Sequence, residues 1–221
     1  MTDKLSVAKT VAKEIEDDVV VRRAMEKGIV SMNALAVHLI KKKNLHASMD
    51  AVVSAIRRYK QDNPLEKKYE KAVKIISESS DIRITTNIVE IALEKNEESQ
   101  KMLQKAFNMV SYEKGEILLI IQGEKSIKLI INAKNKDKII ALFTKKSIIN
   151  IENNLAEINI HLSDDAVTTP GIISTLSTEF MLHDINIYES MSCVPEMLFF
   201  VKQNDVMKGY QVLSMLVSIK G

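Results

Sequence analysis

EINIHLSDDAVTTPGIISTLSTEFMLHDINIYESMSCVPEMLFFVKQNDVMKGYQVLSML, residues 157 to 216, carries strand and helix periods in succession. Ile158, Ile160 and Leu162 alternate with polar residues, the period of a strand with one buried face. Residues 170–182 read as a helix with Pro170 near its first position, where a missing N–H costs nothing because that N–H has no intrahelical partner. Residues 185–190 and 197–202 read as strands. Asn204 or Asp205 caps a helix over 206–216, and 217–219 read as a closing strand.

Working backward, the same order recurs. Ile82, Ile84, Ile88 and Ile91 predict a strand, and 97–110 predict a helix through Met102, Leu103, Ala106, Phe107 and Val110. Gly115 and Gly123 bracket a hairpin of strands 116–122 and 126–132. A helix opens at Asp137 and runs to Phe143, and 147–152 return to strand. Two βαββαβ units are therefore expected, 81–154 and 155–221, each of the ferredoxin-like arrangement in which helices cover one face of an antiparallel sheet.

The second unit resembles an ACT domain, and is most similar to the regulatory pair of aspartokinases. The residues that carry the resemblance are Thr168-Thr169-Pro170-Gly171-Ile172-Ile173, His183-Asp184-Ile185-Asn186-Ile187, Glu196-Met197-Leu198-Phe199-Phe200-Val201 and the helix after Asp205. They span roughly 156–217 in the family's order. The first unit lacks Pro-Gly at its first helix, where Glu94-Lys95-Asn96-Glu97-Glu98 stands instead. No Lys-Phe-Gly-Gly element of an aspartokinase catalytic domain is present.

The resemblance implies a small ligand at the loop before the helix. The physical chemistry suits an amino acid, because a helix N-terminus offers unpaired N–H groups to a carboxylate and Gly171 allows close backbone approach. Asn186 can both donate and accept, and Asp164 or Asp165 can receive an ammonium. The expected ligand-binding residues are Asp164, Asp165, Thr168, Thr169, Pro170, Gly171, Ile172, Asn186 and Ile187. The plain alternative is that Thr169-Pro170-Gly171 only starts a helix and Asn186 only satisfies a sheet edge.

The chain before residue 81 differs in kind. Residues 1–74 carry 16 Lys and Arg against 10 Asp and Glu, whereas 75–221 carry 15 against 19, which the overall net charge of +2 conceals. Val7, Val11, Ile15, Val19, Val20 and Ala24 predict one helix over 7–27, stopped by Gly28. Ser31-Met32-Asn33-Ala34 and Ser48-Met49-Asp50-Ala51 each open a further helix, the first ending in Lys41-Lys42-Lys43, which suit the negative end of the dipole. Residues 60–68 read as a polar segment and 71–77 as a short helix. The domain expectation is a helical unit at 1–68, a linker helix at 69–80, and the two ACT-like units.

Three short helices, the last two joined by a tight turn that contains no glycine, resemble a helix-turn-helix. That resemblance implies double-stranded DNA as a partner, with Ser48, Met49, Asp50 and Ser54 toward bases and Lys41, Lys42, Lys43, Arg57, Arg58 and Lys60 on phosphates. The alternative is a solvated face on a docking or dimerisation unit, and Asp50 at the reading end opposes a polyanion.

Other functional classes have less support. His38, His46, His161 and His183 do not stand at metal-ligand spacing, and Cys193 is the single cysteine, so no catalytic residue, metal or cofactor is expected. No apolar run approaches 18 residues and no charged-then-apolar leader is evident, which predicts a cytoplasmic protein without a membrane span. The fold expectation is α+β, with an N-terminal three-helix domain and two ACT-like domains, joined as a homodimer through open sheet edges. The functional expectation is a non-enzymatic, amino-acid-responsive transcription regulator. The rival is a regulatory or scaffolding subunit that binds no DNA and controls an amino-acid biosynthesis enzyme.

Overall fold

The computed structural model describes residues 6–26, 28–59, 64–79 and 81–217. The chain divides into two compact units, Met1–Glu70 and Lys71–Gly221. The architecture is α+β, with a first unit whose described elements are helices and an antiparallel sheet covered by helices in the second.

The first unit contains α1 (Val7–Asp17), α2 (Val19–Glu26), α3 (Met32–Lys43) and α4 (Met49–Arg58). The single helix expected over 7–27 is two, which corrects the three-helix reading. Asp18 leaves helical geometry at φ −106° and its carboxylate accepts from the Val21 N–H at 3.1 Å, so it ends α1 and caps α2. The break shifts the apolar face: Val19 and Val20 are exposed, whereas Val21 and Met25 pack on the core. Ser31 and Ser48 cap α3 and α4 as expected, accepting from Ala34 and Ala51. Between those helices Asn44 takes φ 48°, filling the left-handed position that closes a helix C-terminus without a glycine. Val11, Ile15, Leu35, Leu39, Val52 and Ile56 form the buried core.

Next comes α5 (Pro64–Ser77), which begins within the segment read as polar linker because Pro64 takes its first position. Ala72, Ile75 and Ile76 lie in the core of the second unit. That unit then runs β1 (Asp81–Glu94), α6 (Glu97–Asn108), β2 (Leu118–Gln122), β3 (Ser126–Asn132), α7 (Lys136–Ile140), β4 (Ile148–His161), α8 (Ile172–Leu182), β5 (Glu189–Cys193), β6 (Glu196–Lys202) and α9 (Val206–Val217). Val217 ends α9 rather than opening a strand, and residues 218–219 of the expected closing strand lie outside the described residues.

The strands form one sheet of order β2-β3-β1-β4-β6-β5. The two strands expected over 147–152 and 157–162 are a single 14-residue strand, β4, and β1 is equally long. The polar pair Asn153-Asn154 is not a loop. Asn154 takes φ 56° and Asn87, at the same place in β1, takes φ 59°, so each strand absorbs a bulge and continues. Ile88 and Leu155 pair directly between the two bulges, and the motif Asn-apolar-apolar-Glu recurs as Asn87-Ile88-Val89-Glu90 and Asn154-Leu155-Ala156-Glu157. Each half of the sheet thus borrows part of the other half's first strand in place of a fourth strand of its own.

Alternate residues of the strands face two different interiors. Ala156, Ile158, Ile160, Met197, Phe199 and Val201 pack under α5, α8 and α9, while Val89, Ile91, Leu93, Ile127, Leu129 and Ile131 pack under α6 and α7. The helix-free face is buried too, through Ile88, Ile130, Leu155, Leu198 and Phe200 from both halves. Lys128 on β3 reaches Glu189 on β5 at 2.8 Å although β1, β4 and β6 lie between those strands. A flat sheet would hold them roughly 19 Å apart at about 4.8 Å per strand, so the sheet coils until its helix-free face closes on itself.

Among the described residues of the sheet unit two glutamates are buried. Glu90 is 7% exposed and pairs with Lys128 at 3.2 Å; burial depresses the lysine's pKa, but its bonds to Glu189 and Glu90 outweigh that and hold it above the ordinary value. Glu157 is 6% exposed at the matching position of β4, and Leu198 occupies the place that Lys128 holds beside Glu90. Burial, reinforced by the nearby Glu196 carboxylate, pushes the Glu157 carboxyl up to about 7.

Candidate functional site

The loop from β4 to α8 is a 3-10 turn over Asp164–Val167, then Thr168, Thr169, Pro170 and Gly171. Gly171 is the N-cap residue of α8 at φ 102°, a conformation that favours glycine, and no side chain caps the helix. Thr169 is buried and its hydroxyl donates to the Asp165 carbonyl at 2.9 Å, which ties the turn to the start of α8.

A cavity of about 340 Å³ opens beside this helix end. Its walls are Leu162, Ser163, Ala166, Val167 and Thr169 to Ser174 on one side, and Ser192 with Val194, Pro195, Glu196 and Met197 of the β5–β6 hairpin on the other. The expected residues Thr169, Pro170, Gly171 and Ile172 are therefore brought together. Asp164, Asp165 and Thr168 are exposed on the turn and do not line it; Asp165 serves through its backbone carbonyl. Asn186 and Ile187 belong to a separate open cleft with Ser177, Met181, Asp184 and Ile185 at the other end of α8. Residues 185–187 lie outside β5, so the strand expected there starts four residues later, at Glu189.

The hairpin wall is what sequence reasoning missed. Its signal is Val194-Pro195, an apolar turn pair where a hairpin ordinarily carries Gly, Asn or Asp. The wall chemistry is mostly apolar, and among the described residues lining it Glu196 is the one that carries a charge. Ser163 places its hydroxyl out of solvent with no hydrogen-bond partner.

In the first unit the expected phosphate contacts divide. Lys41, Arg57 and Arg58 are exposed, and Arg58 Nε donates to the Ser54 carbonyl at 3.1 Å. Lys43 meets the buried Glu14 at 2.8 Å, and Lys42 bridges Glu14 at 3.7 Å and Asp18 at 3.3 Å. The hydrogen bond from Lys43 holds the Glu14 carboxyl below its ordinary value against the effect of burial. Ser48 is engaged as the α4 cap, Met49 packs partly on the core, and Asp50 and Ser54 are exposed. Lys60 lies outside the described residues. Among the described residues, no group of three or more His, Cys, Asp or Glu is placed to hold a metal, and no helix is long and apolar enough to cross a membrane.

No protein-family model matches the chain, and comparison with curated proteins finds no match. Solved structures do resemble it. The aspartate kinase of Clostridium acetobutylicum aligns over 63% of this chain at 21% identity with a TM-score of 0.52, and the chain spans about a third (34%) of that kinase. The ligand-free regulatory subunit of aspartate kinase from Thermus thermophilus aligns over 62% of this chain and 97% of its own length, at 10% identity and a TM-score of 0.51. The corresponding subunit from Thermus flavus gives the same values. The chain thus carries the ACT-like α+β fold seen in aspartate kinase regulatory subunits.

Proposed function

We propose that this chain is an amino-acid-responsive regulator with no catalytic activity of its own, whose ligand enters the cavity at the start of α8. The observation that carries the reading is an uncapped helix N-terminus opening on a cavity of amino-acid size within an ACT-like sheet. We further propose a homodimer through the free edges of β2 and β5, and domains at 1–68, 69–80, 81–154 and 155–221. A thermal-shift panel of the twenty amino acids tests the sensor. One or a few are expected to raise Tm by several degrees, since ligand at 100 times Kd stabilises by about 2.7 kcal/mol. A panel without any shift overturns the sensor reading.

The output in this reading is double-stranded DNA, met by α4 as the second helix of a helix-turn-helix. Its supports are the excess of basic residues before residue 75, the exposed Lys41, Arg57 and Arg58, and the left-handed Asn44 in the α3–α4 turn. Ligand-dependent rearrangement of two copies would change the spacing of their α4 helices. Replacing Arg57 and Arg58 by alanine is expected to weaken binding to every sequence alike. The slope of log affinity against log salt should fall by about two, one for each lost phosphate contact. An unchanged slope in an anisotropy titration counts against α4 as the DNA-facing helix.

One observation favours the rival, a regulatory subunit that controls a separate enzyme. Glu14 and Asp18 neutralise Lys42 and Lys43, and Asp50 stands in the first turn of α4, which leaves the face less positive than its sequence promises.

A further inference from the structure

The walls of the α8 cavity carry information about the side chain of what enters it. Of the residues lining it, Leu162, Ala166, Val167, Pro170, Ile172, Ile173, Val194, Pro195 and Met197 are apolar. Three of these are large hydrophobic side chains left in water around one opening: Val167 is 60% exposed, Ile173 56% and Val194 49%. They come from three separate segments, the 3-10 turn, the first turn of α8 and the hairpin, and only an occupant with apolar surface removes them all from water at once.

The polar groups are few. Among the described residues Ser163 has a buried hydroxyl without a partner, Ser174 and Ser192 add neutral hydroxyls, the Thr169 hydroxyl is engaged by the Asp165 carbonyl, the first turn of α8 lacks a side-chain cap, and Glu196 is the one charged wall residue. These suit the two ends of a zwitterion, a carboxylate on the hydroxyl and helix N–H groups and an ammonium on Glu196. They leave nothing for a second charge. A ligand with an acidic side chain would find no cation on the wall, and a lysine would bring a second ammonium to a wall with one carboxylate.

Resting on the sensor reading above, we propose that the cavity selects an amino acid with an apolar aliphatic or thioether side chain, of the size of norleucine, leucine or methionine. At about 340 Å³ it lies at the small end of small-molecule cavities, which span roughly 300–1,000 Å³. Its polar ends fix the backbone of the ligand, and the apolar rim reads the length of its side chain.

The test is calorimetric titration of the full chain with alanine, 2-aminobutyrate, norvaline and norleucine. Affinity is expected to rise about fourfold for each added methylene. Hexanoate and pentylamine, each lacking one charged end, are expected to bind at least about tenfold more weakly than norleucine. Ile173→Gln removes apolar wall at an exposed position and is expected to weaken norleucine about tenfold with the unliganded Tm unchanged. Affinity that is flat along the series, tighter binding of lysine or aspartate, or an unaltered Ile173→Gln overturns the proposal while the sensor stands. If none of these amino acids binds, the sensor reading falls with it.

Discussion

A valine at position 209 is expected to lower the stability of the sheet unit by about 3 kcal/mol, near the upper end of what overpacking a core usually costs. Gly209 lies in α9, where the helix comes so close to the sheet that an added Cβ would stand 2.6 Å from Ile158 Cδ1 and 3.0 Å from Phe180 Cε1. Both neighbours are fully buried, and Phe180 is itself held against Phe199 with ring centroids 5.0 Å apart. Neither can withdraw without disturbing the core beneath α8 and α9. Alanine is the milder case, because its single carbon needs only a small shift of Ile158 and its helix propensity returns about 1 kcal/mol. The measurement is the urea midpoint of the sheet unit: valine should lower it without altering the slope, and alanine should fall between valine and the parent. A midpoint that valine leaves unchanged would show that α9 does not sit on Ile158.

Glu157→Gln is expected to change how stability depends on pH. In the unfolded chain this carboxyl ionises near its ordinary value of 4.5, whereas in the fold it holds its proton to about 7. Between those values the native state binds more protons than the unfolded one, so stability falls as pH rises. The contribution is complete below about pH 4.5, is lost through about pH 7, and amounts to about 3 kcal/mol for a shift of this size. Glutamine keeps the shape and cannot ionise, so the variant should gain on the parent by about that amount between pH 4 and pH 8. Parallel curves for variant and parent across that range would show that Glu157 is not buried without a cation. Glu90 is the internal comparison, since Lys128 pairs with it and the sequence puts Leu198 at the matching place beside Glu157.

Elements with a strong period were legible before any coordinates. The hairpin of β2 and β3, the helices α6, α8 and α9 and the two serine caps follow from spacing and cap chemistry alone. What escaped were places where a polar residue does something other than end an element. Asn154 falls between two expected strands and instead carries one strand through a bulge, as Asn87 does inside the strand expected around it, because asparagine tolerates a left-handed conformation. Asp18 lies within the single helix expected over 7–27 and instead divides α1 from α2. At the candidate site, Thr169 to Ile172 could be named because Pro-Gly before an apolar helix is a local signal. Val194 and Pro195 could not, because their place on the wall depends on β6 pairing beside β4, which sets Glu196 opposite His161 and lets the Leu162 N–H donate to the Pro195 carbonyl at 2.8 Å. The same limit separated Asn186 from the cavity, since sequence order says that α8 lies between them but not that its two ends open on different clefts.

The two bulged strands have a consequence for how such a protein can be taken apart. A boundary between modules ordinarily falls in an exposed linker that few contacts cross. Here the midpoint of the repeat falls inside β4 at Leu155, the partner of Ile88 in β1, and a cut there parts residues 157–161 from residues 81–85 of β1, which leaves the second fragment with an unfilled slot in its sheet and the first with an unpaired strand end. The second fragment is not an independent part to be excised, exchanged or appended to another protein, because residues 81–85 of β1 and Ala72, Ile75 and Ile76 of α5 complete its sheet and core. Two such fragments supplied in trans would fill that slot only by finding each other, which makes the break in β4 a natural seam for a split reporter.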